Sequence, residues 1–220
     1  EGSSETQENG ITLFIESTDP NNNGDYIRDI RVYNERHSDL IALGENFDPN
    51  WFQAIDDFRV LRTHDWQGTN YSQVTDPTLN DFTSDQAFWV REGRGMPIEL
   101  LVEVANEARS DLWINIPHGA TDAYMLEVAQ YVKDNLTADL RLYVEYTNEY
   151  WSDGFDQHQY LIDKGQAQFG SAPFANAQAY GARASQMTQI FKQVFGGEQP
   201  RLIPVVTLDD TALTTAEALT

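Results

Sequence analysis

Hydrophobic positions along the chain recur at two spacings, and together they predict strands separated by helices. Spacings of three and four residues predict helices over residues 49–58, 96–109, 121–135 and 174–195. Short apolar runs predict strands near residues 30, 60, 114, 144 and 204, so that a helix lies in each gap between strands. Strands that alternate with helices of this length are typical of βαβ units and a parallel sheet, so we expect an α/β fold.

Other stretches of the chain lack a clear period. Residues 1–10 are polar and resemble a linker, and a short strand is predicted at residues 11–15. We therefore expect residues 1–26 to be a polar and β segment of the kind that ends a preceding domain, and residues 27–220 to form the main domain. The segments 63–94 and 152–172 are long, mostly polar and dotted with aromatics. The first lacks clear periodicity, and a connection of that length without periodicity is usually functional.

The residues whose side chains suggest catalysis or ligand binding fall just after predicted strands. They occupy positions 62–66, 115–118 and 148–151. No GxGxxG or GK[ST] sequence follows any strand, which disfavours a nucleotide-binding doubly wound sheet and a cofactor-using α/β enzyme. Functional residues gathered on the loops after the strands are typical of a (β/α)8 barrel.

The charge balance narrows the class of partner. The 220 residues include 14 Lys and Arg against 35 Asp and Glu, a formal net charge of −21. This charge repels nucleic acid and anionic membranes, and it favours a neutral glycan over an anionic polymer. The chain has no cysteine, and it has no apolar run of about 18 residues that could span a bilayer.

Residues 144–151, with the sequence VEYTNEYW, are the most informative segment for function. They predict a strand that is followed at once by an Asn-Glu pair and two aromatic residues. A carboxyl group there can exchange a proton with a glycosidic oxygen, which makes Glu149 the candidate catalytic residue. The amide of Asn148 can bind a sugar hydroxyl, and the ring of Trp151 can stack on a pyranose. Alternatively, Glu149 is a carboxylate at a helix start, stabilised by the helix dipole.

Three motifs together resemble one known family. They are FRVLR at residues 58–62, NIPH at residues 115–118 and VEYTNE at residues 144–149. Their order and spacing resemble the clan of retaining (β/α)8 glycosidases that includes endoglucanases and mannanases, and more closely a group of bacterial secreted barrel proteins related to cellulases. The resemblance covers roughly residues 30–207. It implies an incomplete barrel of about five βα units and an extracellular or periplasmic location.

The resemblance also implies roles for individual residues. The Asn-Glu pair of the clan ends its fourth strand, and its Glu is the acid/base, which here is Glu149. Asn148 would bind the hydroxyl beside the reacting carbon, and Arg62 would orient and ionise the nucleophile. Asn115 and His118 match polar positions after the third strand. We also expect Trp66 to offer a sugar platform or, alternatively, to anchor its loop.

Two features depart from the clan's pattern. Tyr150 stands where many members have Pro. The clan's nucleophile ends a seventh strand, whereas the last strand predicted here is the fifth, and five strands cannot close an eight-stranded barrel. We therefore expect the polypeptide to continue beyond Thr220 with the missing half of the barrel, and we assign no nucleophile.

Glu145 lies two strand periods before Glu149, so the two carboxylates share a face of the strand. We interpret Glu145 as structural and paired with Arg62 or Arg59. Trp113 is interpreted as a packing residue.

A candidate calcium loop lies near the N-terminus. Asp19, Asn21, Asn23 and Asp25 fall at alternate positions with Gly between the last two, which resembles the front of an EF-hand loop. Its twelfth position is Ile30 rather than Glu, so an Asn/Gly-rich turn is the favoured alternative. Calcium would be structural, and the chemistry requires no cofactor.

The sequence thus predicts a glycoside hydrolase that cleaves a neutral polysaccharide or oligosaccharide by retaining double displacement. The alternative is a non-catalytic protein that binds glycan or builds an extracellular assembly.

Overall fold

The computed structural model describes residues 15–24, 26, 33, 35–71 and 95–207. The chain divides into two compact units, residues 1–48 and residues 49–220, which are described separately. In the first unit, a turn at residues 19–24 is followed by a 3₁₀ helix at Glu35–His37 and the short helix α1 at Ser38–Ala42. The strands predicted at residues 11–15 and near residue 30 lie almost wholly outside the described residues.

The second unit alternates strands and helices. In chain order it contains α2 (Pro49–Gln53), β1 (Val60–Arg62), a 3₁₀ helix (Thr69–Tyr71), α3 (Ile98–Ala108), β2 (Asp111–Ile116), α4 (Asp122–Asn135), β3 (Leu142–Tyr146), α5 (Asp156–Phe169), α6 (Ala175–Phe195), a 3₁₀ helix (Gly196–Arg201) and β4 (Leu202–Val205). The strands form one parallel sheet in the order β1-β2-β3-β4. The predicted α/β class with a parallel sheet is therefore confirmed.

Each central strand buries an apolar face and carries a polar one. Leu112, Ile114 and Ile116 of β2 and Leu142 and Val144 of β3 are fully buried on one side of the sheet. Residues at the alternate positions point to the other side. There the register sets Arg62 beside Trp113, and Asn115 beside Glu145. The strand period therefore gathers the polar residues of three strands on one face.

Three helices begin and end close to where the hydrophobic spacing predicts. Thr121 caps α4, because its side-chain oxygen accepts a hydrogen bond from the backbone N–H of Tyr124 at 3.1 Å. Gly196 ends α6 with a φ of 50°, and such a φ favours glycine. The predicted helix over residues 49–58 is wrong beyond Gln53, where turns replace it. Asp56 and Asp57 would place negative charge at the helix C-terminus, which the helix dipole disfavours.

The segment 152–172, for which the sequence predicts no helix, is largely helical. It contains the 14-residue helix α5, whose buried residues are Gln157, Leu161 and Gly165. These positions recur every four residues and so form one stripe of the helix. Because only one of the three is a large apolar residue, hydrophobic spacing does not reveal the helix.

Gly165 allows α5 to approach α6 closely. A Cβ at this position would lie 2.4 Å from the backbone carbonyl carbon of Ala175, at the start of α6. Such a distance requires the two helices to move apart. The packing of the pair therefore depends on the missing side chain, although glycine costs helix stability of about 1 kcal/mol relative to alanine.

We predict that Gly165→Ala lowers the free energy of unfolding by about 1–3 kcal/mol, the usual cost of overpacking. Chemical denaturation monitored by circular dichroism measures this. Gly154→Ala is the matched control, because a Cβ there meets nothing within 4 Å. A Gly165→Ala protein that is as stable as the natural one, or more stable, would contradict the close approach.

Candidate functional site

An ion pair crosses the C-terminal edge of the sheet from β1 to β3. The guanidinium Nη2 of Arg62 lies 3.1 Å from Oε2 of Glu145, whose side chain is fully buried whereas that of Arg62 is 34% exposed. Of the two partners predicted for Glu145, Arg62 is thus the one it contacts, whereas Arg59 pairs with Asp111. The Arg62 guanidinium also lies over the ring of Trp113, 5.1 Å from its centroid. A cation, a carboxylate and an aromatic ring from three neighbouring strands therefore meet on the polar face.

Further donors surround the buried carboxylate of Glu145. The indole Nε1 of Trp113 donates to Oε2 at 2.9 Å, and the hydroxyl of Thr207 donates to Oε1. Trp113 is thus more than the packing residue that the sequence predicts. Because each carboxylate oxygen has a donor, the cost of burying its charge is offset by charge-assisted hydrogen bonds.

Arg62 fixes the orientation of Asn148. A guanidinium has only donors, so the group of Asn148 that meets Arg62 Nη2 at 2.8 Å must be its oxygen Oδ1. The Nδ2 of Asn148 then donates to Oδ1 of Asn70 at 3.0 Å. Asn70 belongs to the 3₁₀ helix after β1, and it is not among the site residues predicted from the sequence. Asn148 is 5% exposed, and both ends of its amide, Oδ1 and Nδ2, bind partners within the protein.

His64, which follows β1, also contacts Arg62. Its Nδ1 lies 3.2 Å from Arg62 Nη1, so Nδ1 carries the lone pair. The other nitrogen, Nε2, lies 3.1 Å from Oδ1 of Asp65 and 3.2 Å from Nδ2 of Asn70. Because Arg62 occupies the lone pair of Nδ1, Nε2 carries the proton of the neutral ring and Asp65 accepts it. Burial is the main cause that lowers the pKa of His64, and Arg62 lowers it further, against the opposing effect of Asp65. The neutral ring is thus the form that fits beside Arg62.

Glu149 lies at the rim of this cluster. Its residue is exposed, and its carboxylate is close enough to His64 to favour the charged ring. Glu149 has a φ of 30°, and Thr147 has a φ of 52°. Positive φ is rare for residues with a side chain, above all for β-branched Thr, and such strain gathers at functional sites. The backbone corner at residues 147–149 therefore carries strain on both sides of Asn148.

Two groups of aromatic rings follow the strand ends, one after β3 and one after β1. After β3, Trp151 contacts Tyr150 edge to face at 5.3 Å, and Tyr150 stacks on Tyr180 of α6 at 4.3 Å. After β1, Trp66 lies 5.6 Å from Trp51. Trp151 and Trp66 are both partly exposed, so each can offer a ring face to a ligand. Burial raises the pKa of Tyr180 to about 12, so Tyr180 stays protonated at neutral pH.

Asn115 and His118 are buried, whereas Glu149 at the rim is exposed. Asn115 is fully buried, and its Nδ2 donates to the carbonyl of Thr147 at 2.5 Å, beneath the strained corner. His118 is 8% exposed and lies 4.9 Å from the ring of Tyr160. Burial lowers the pKa of His118. None of the contacts described for His118 joins it to Arg62, Asn148 or Glu149.

Asp19 closes the turn in which the candidate calcium loop was predicted. Its backbone carbonyl accepts the N–H of Asn22 at 3.2 Å. Its two carboxylate oxygens accept the backbone N–H groups of Asn23 at 3.1 Å and Gly24 at 2.8 Å. Asp25 lies outside the described residues, so the fourth ligand of the predicted set has no described position.

Within the described ranges, no cluster of three or more His, Asp and Glu side chains could hold a metal ion. No helix in the described part of the chain has the length and apolar character that a membrane crossing requires.

Comparison of the chain with protein-family models, curated proteins and solved structures finds no match. The candidate site is therefore interpreted from its own geometry.

We predict that Glu145→Gln lowers the free energy of unfolding by about 1–3 kcal/mol, because it leaves the partly buried Arg62 without its counter-charge. Urea denaturation at neutral pH measures the change. Glu127→Gln is the control, because Glu127 is exposed on α4, and its effect should stay within about 0.5 kcal/mol. Equal stability of the two variants would contradict a structural role for the buried carboxylate.

The lowered pKa of His64 has a consequence for stability. The unfolded chain takes up a proton on this ring near pH 6.5, and the folded chain does so only at lower pH. Below about pH 6.5 the unfolded state therefore binds more protons, and the free energy of unfolding falls as pH falls. His118 acts in the same direction.

We therefore predict that the His64 ring titrates below pH 6.5 in the folded protein, as followed by the NMR signal of its Cε1–H group. Between pH 7.5 and 5.5 the stability of His64→Gln should fall less than that of the natural protein. A His64 midpoint above 6.5 would show that the ring is charged beside Arg62 and would overturn the assigned tautomer.

Proposed function

We propose that the chain is the N-terminal part of a (β/α)8 glycoside-hydrolase-like barrel, with Glu149 as its acid/base. The four described strands are parallel and follow chain order without a switch, which is the order of consecutive barrel strands. Helices separate successive strands throughout. The polar residues converge at the C-terminal ends of the strands, the end where barrels of this kind carry their sites.

One observation carries the proposal, namely the way Arg62 is joined to the Asn148-Glu149 corner. The guanidinium binds Asn148 at 2.8 Å and leaves the next residue, Glu149, exposed at the rim. The backbone on both sides of Asn148 is strained, with φ values of 52° and 30°. Strain that the surroundings hold in place is expected where a side chain must face a ligand.

The arrangement can perform general acid/base chemistry on a glycoside. Glu149 in its acid form would protonate the leaving oxygen, and its carboxylate would later deprotonate a water molecule. Asn148 has one amide N–H beyond its bond to Asn70, and this N–H would bind a sugar hydroxyl. Double displacement also needs a nucleophilic carboxylate about 5–5.5 Å from Glu149, and no described residue is assigned to that role.

The partner that fits best is a neutral polysaccharide or oligosaccharide. The net charge of −21 opposes nucleic acids and other polyanions. The partly exposed rings of Trp151 and Trp66 offer apolar faces that suit a pyranose. We propose an extracellular or periplasmic location, because polysaccharides of this kind are met outside the cytoplasm.

A non-catalytic glycan-binding role is the second candidate. The observation that favours it is that the buried carboxylate of Glu145, four residues before Glu149, is engaged by Arg62, Trp113 and Thr207. Glu145 is therefore not free to act as a nucleophile. Binding of oligosaccharides without any hydrolysis would select this role.

We predict that the full-length protein hydrolyses members of a panel of β-glucans and mannans, and that Glu149→Gln lowers kcat by about 100-fold or more, the usual contribution of an acid/base residue. Reducing-sugar release measures the rate. Glu127→Gln, an exposed change on α4, should leave the rate unaltered. Equal rates for Glu149→Gln and Glu127→Gln would remove Glu149 from the mechanism.

A further inference from the structure

Helix α5 contributes one buried side chain to the candidate site. Gln157, in the first turn of α5, is fully buried. Its Nε2 donates to Oδ1 of Asn70 at 2.8 Å and to the backbone carbonyl of Asn148 at 2.7 Å. A single amide nitrogen therefore ties the helix both to the loop after β1 and to the corner that presents Glu149.

The orientation of this amide follows from the charge of Arg62. Arg62 requires the oxygen of Asn148, so the nitrogen of Asn148 meets Asn70 and the oxygen of Asn70 is an acceptor. Both groups in front of Gln157, Asn70 Oδ1 and the Asn148 carbonyl, are then acceptors. Gln157 can face them only with its NH₂ group. One guanidinium thus sets the direction of three amides in sequence.

The carbonyl that Gln157 holds belongs to the residue between the two strained positions. Thr147 and Glu149 both have positive φ, and such a corner persists only when its neighbours fix it. Asn115 binds the carbonyl of Thr147, and Gln157 binds the next carbonyl. The carbonyls of Thr147 and Asn148 are therefore each held by a side-chain hydrogen bond, the first from β2 and the second from α5.

From this geometry we infer that Gln157 is a positioning residue, which acts through Asn148 and Asn70 to hold Glu149 at the rim. The inference rests on the proposed function for its kinetic consequence, but the amide network itself can be tested without any activity. The isosteric change Gln157→Glu keeps the shape of the side chain and, in its charged form, replaces two donors with acceptors. The carboxylate would then oppose both Asn70 Oδ1 and the Asn148 carbonyl.

The matched control lies two residues further along the same helix. Gln159 is exposed, and its Nε2 donates to Asp163 at 2.8 Å. Gln159→Glu therefore adds the same charge to α5 without touching the site. The comparison separates an effect on the amide network from a general effect of charge on the helix.

We expect Gln157→Glu to shift the side-chain ¹⁵N–¹H signals of Asn70 and Asn148 at neutral pH, whereas Gln159→Glu leaves both signals in place. Kinetically, kcat should fall about 10- to 100-fold, as expected for a displaced catalytic group, with a much smaller change in KM. Unshifted Asn70 and Asn148 signals in a folded Gln157→Glu protein would overturn the inference. Shifted signals in a protein without hydrolase activity would support it and count against the proposed function.

A measurement on the natural protein covers the case in which Gln157→Glu does not fold. Both amide protons of Gln157 donate to buried acceptors, so they should exchange with solvent at least about ten times more slowly than those of Gln159, whose hydrogen bond is exposed. Equal exchange rates would show that the network is open in solution, and the positioning role would fall.

Discussion

The buried carboxylate of Glu145 is the constraint on which the candidate site depends. A charge that is fully removed from water requires compensating partners, and here they come from three places: Arg62 on β1, Trp113 on β2 and Thr207 after β4. Satisfying one side chain of β3 therefore fixes the ends of its neighbours. The pair need not add net stability, because desolvation can outweigh attraction. Its clearer effect is to specify one arrangement of the strand ends.

From this arrangement the direction of the polar network follows. Arg62 has five donors and no acceptor, and it uses them on Glu145, Asn148 and His64. The amide of Asn148 and the tautomer of His64 are thereby determined. Asn70 then takes its orientation from Asn148, and Gln157 from both. A site built in this way has little freedom to rearrange, because reversing any one amide would leave two acceptors or two donors in contact.

Sequence reasoning succeeded where the signal is periodic and failed where it is not. The buried strands β2 and β3 and the helix α4, with its Thr121 cap, follow from hydrophobic spacing and end residues. Strand alternation turns Glu145 to the polar face and narrows its partner to Arg62 or Arg59, of which the structure shows Arg62. By contrast, α5 could not be predicted because its buried stripe consists of Gln157, Leu161 and Gly165, two of which are read as polar or helix-breaking. Asn70 lies in an aperiodic segment, so only the folded contacts reveal its part in the site.

The failure at α5 and the strain at Glu149 have a common physical origin. Each positive-φ residue costs of order 1–3 kcal/mol, and neutral hydrogen bonds return only about 0.5–1.5 kcal/mol each. Several bonds must therefore converge on the corner, and a polar residue such as Gln157 has to occupy a helix position that packing alone would give to an apolar one. Hydrophobic spacing therefore fails at α5, where a polar side chain takes a buried helix position and bonds to the corner that presents the carboxylate of Glu149. Glu149, exposed beside an Asn148 whose amide is held by Arg62 and Asn70, is the residue that this arrangement singles out.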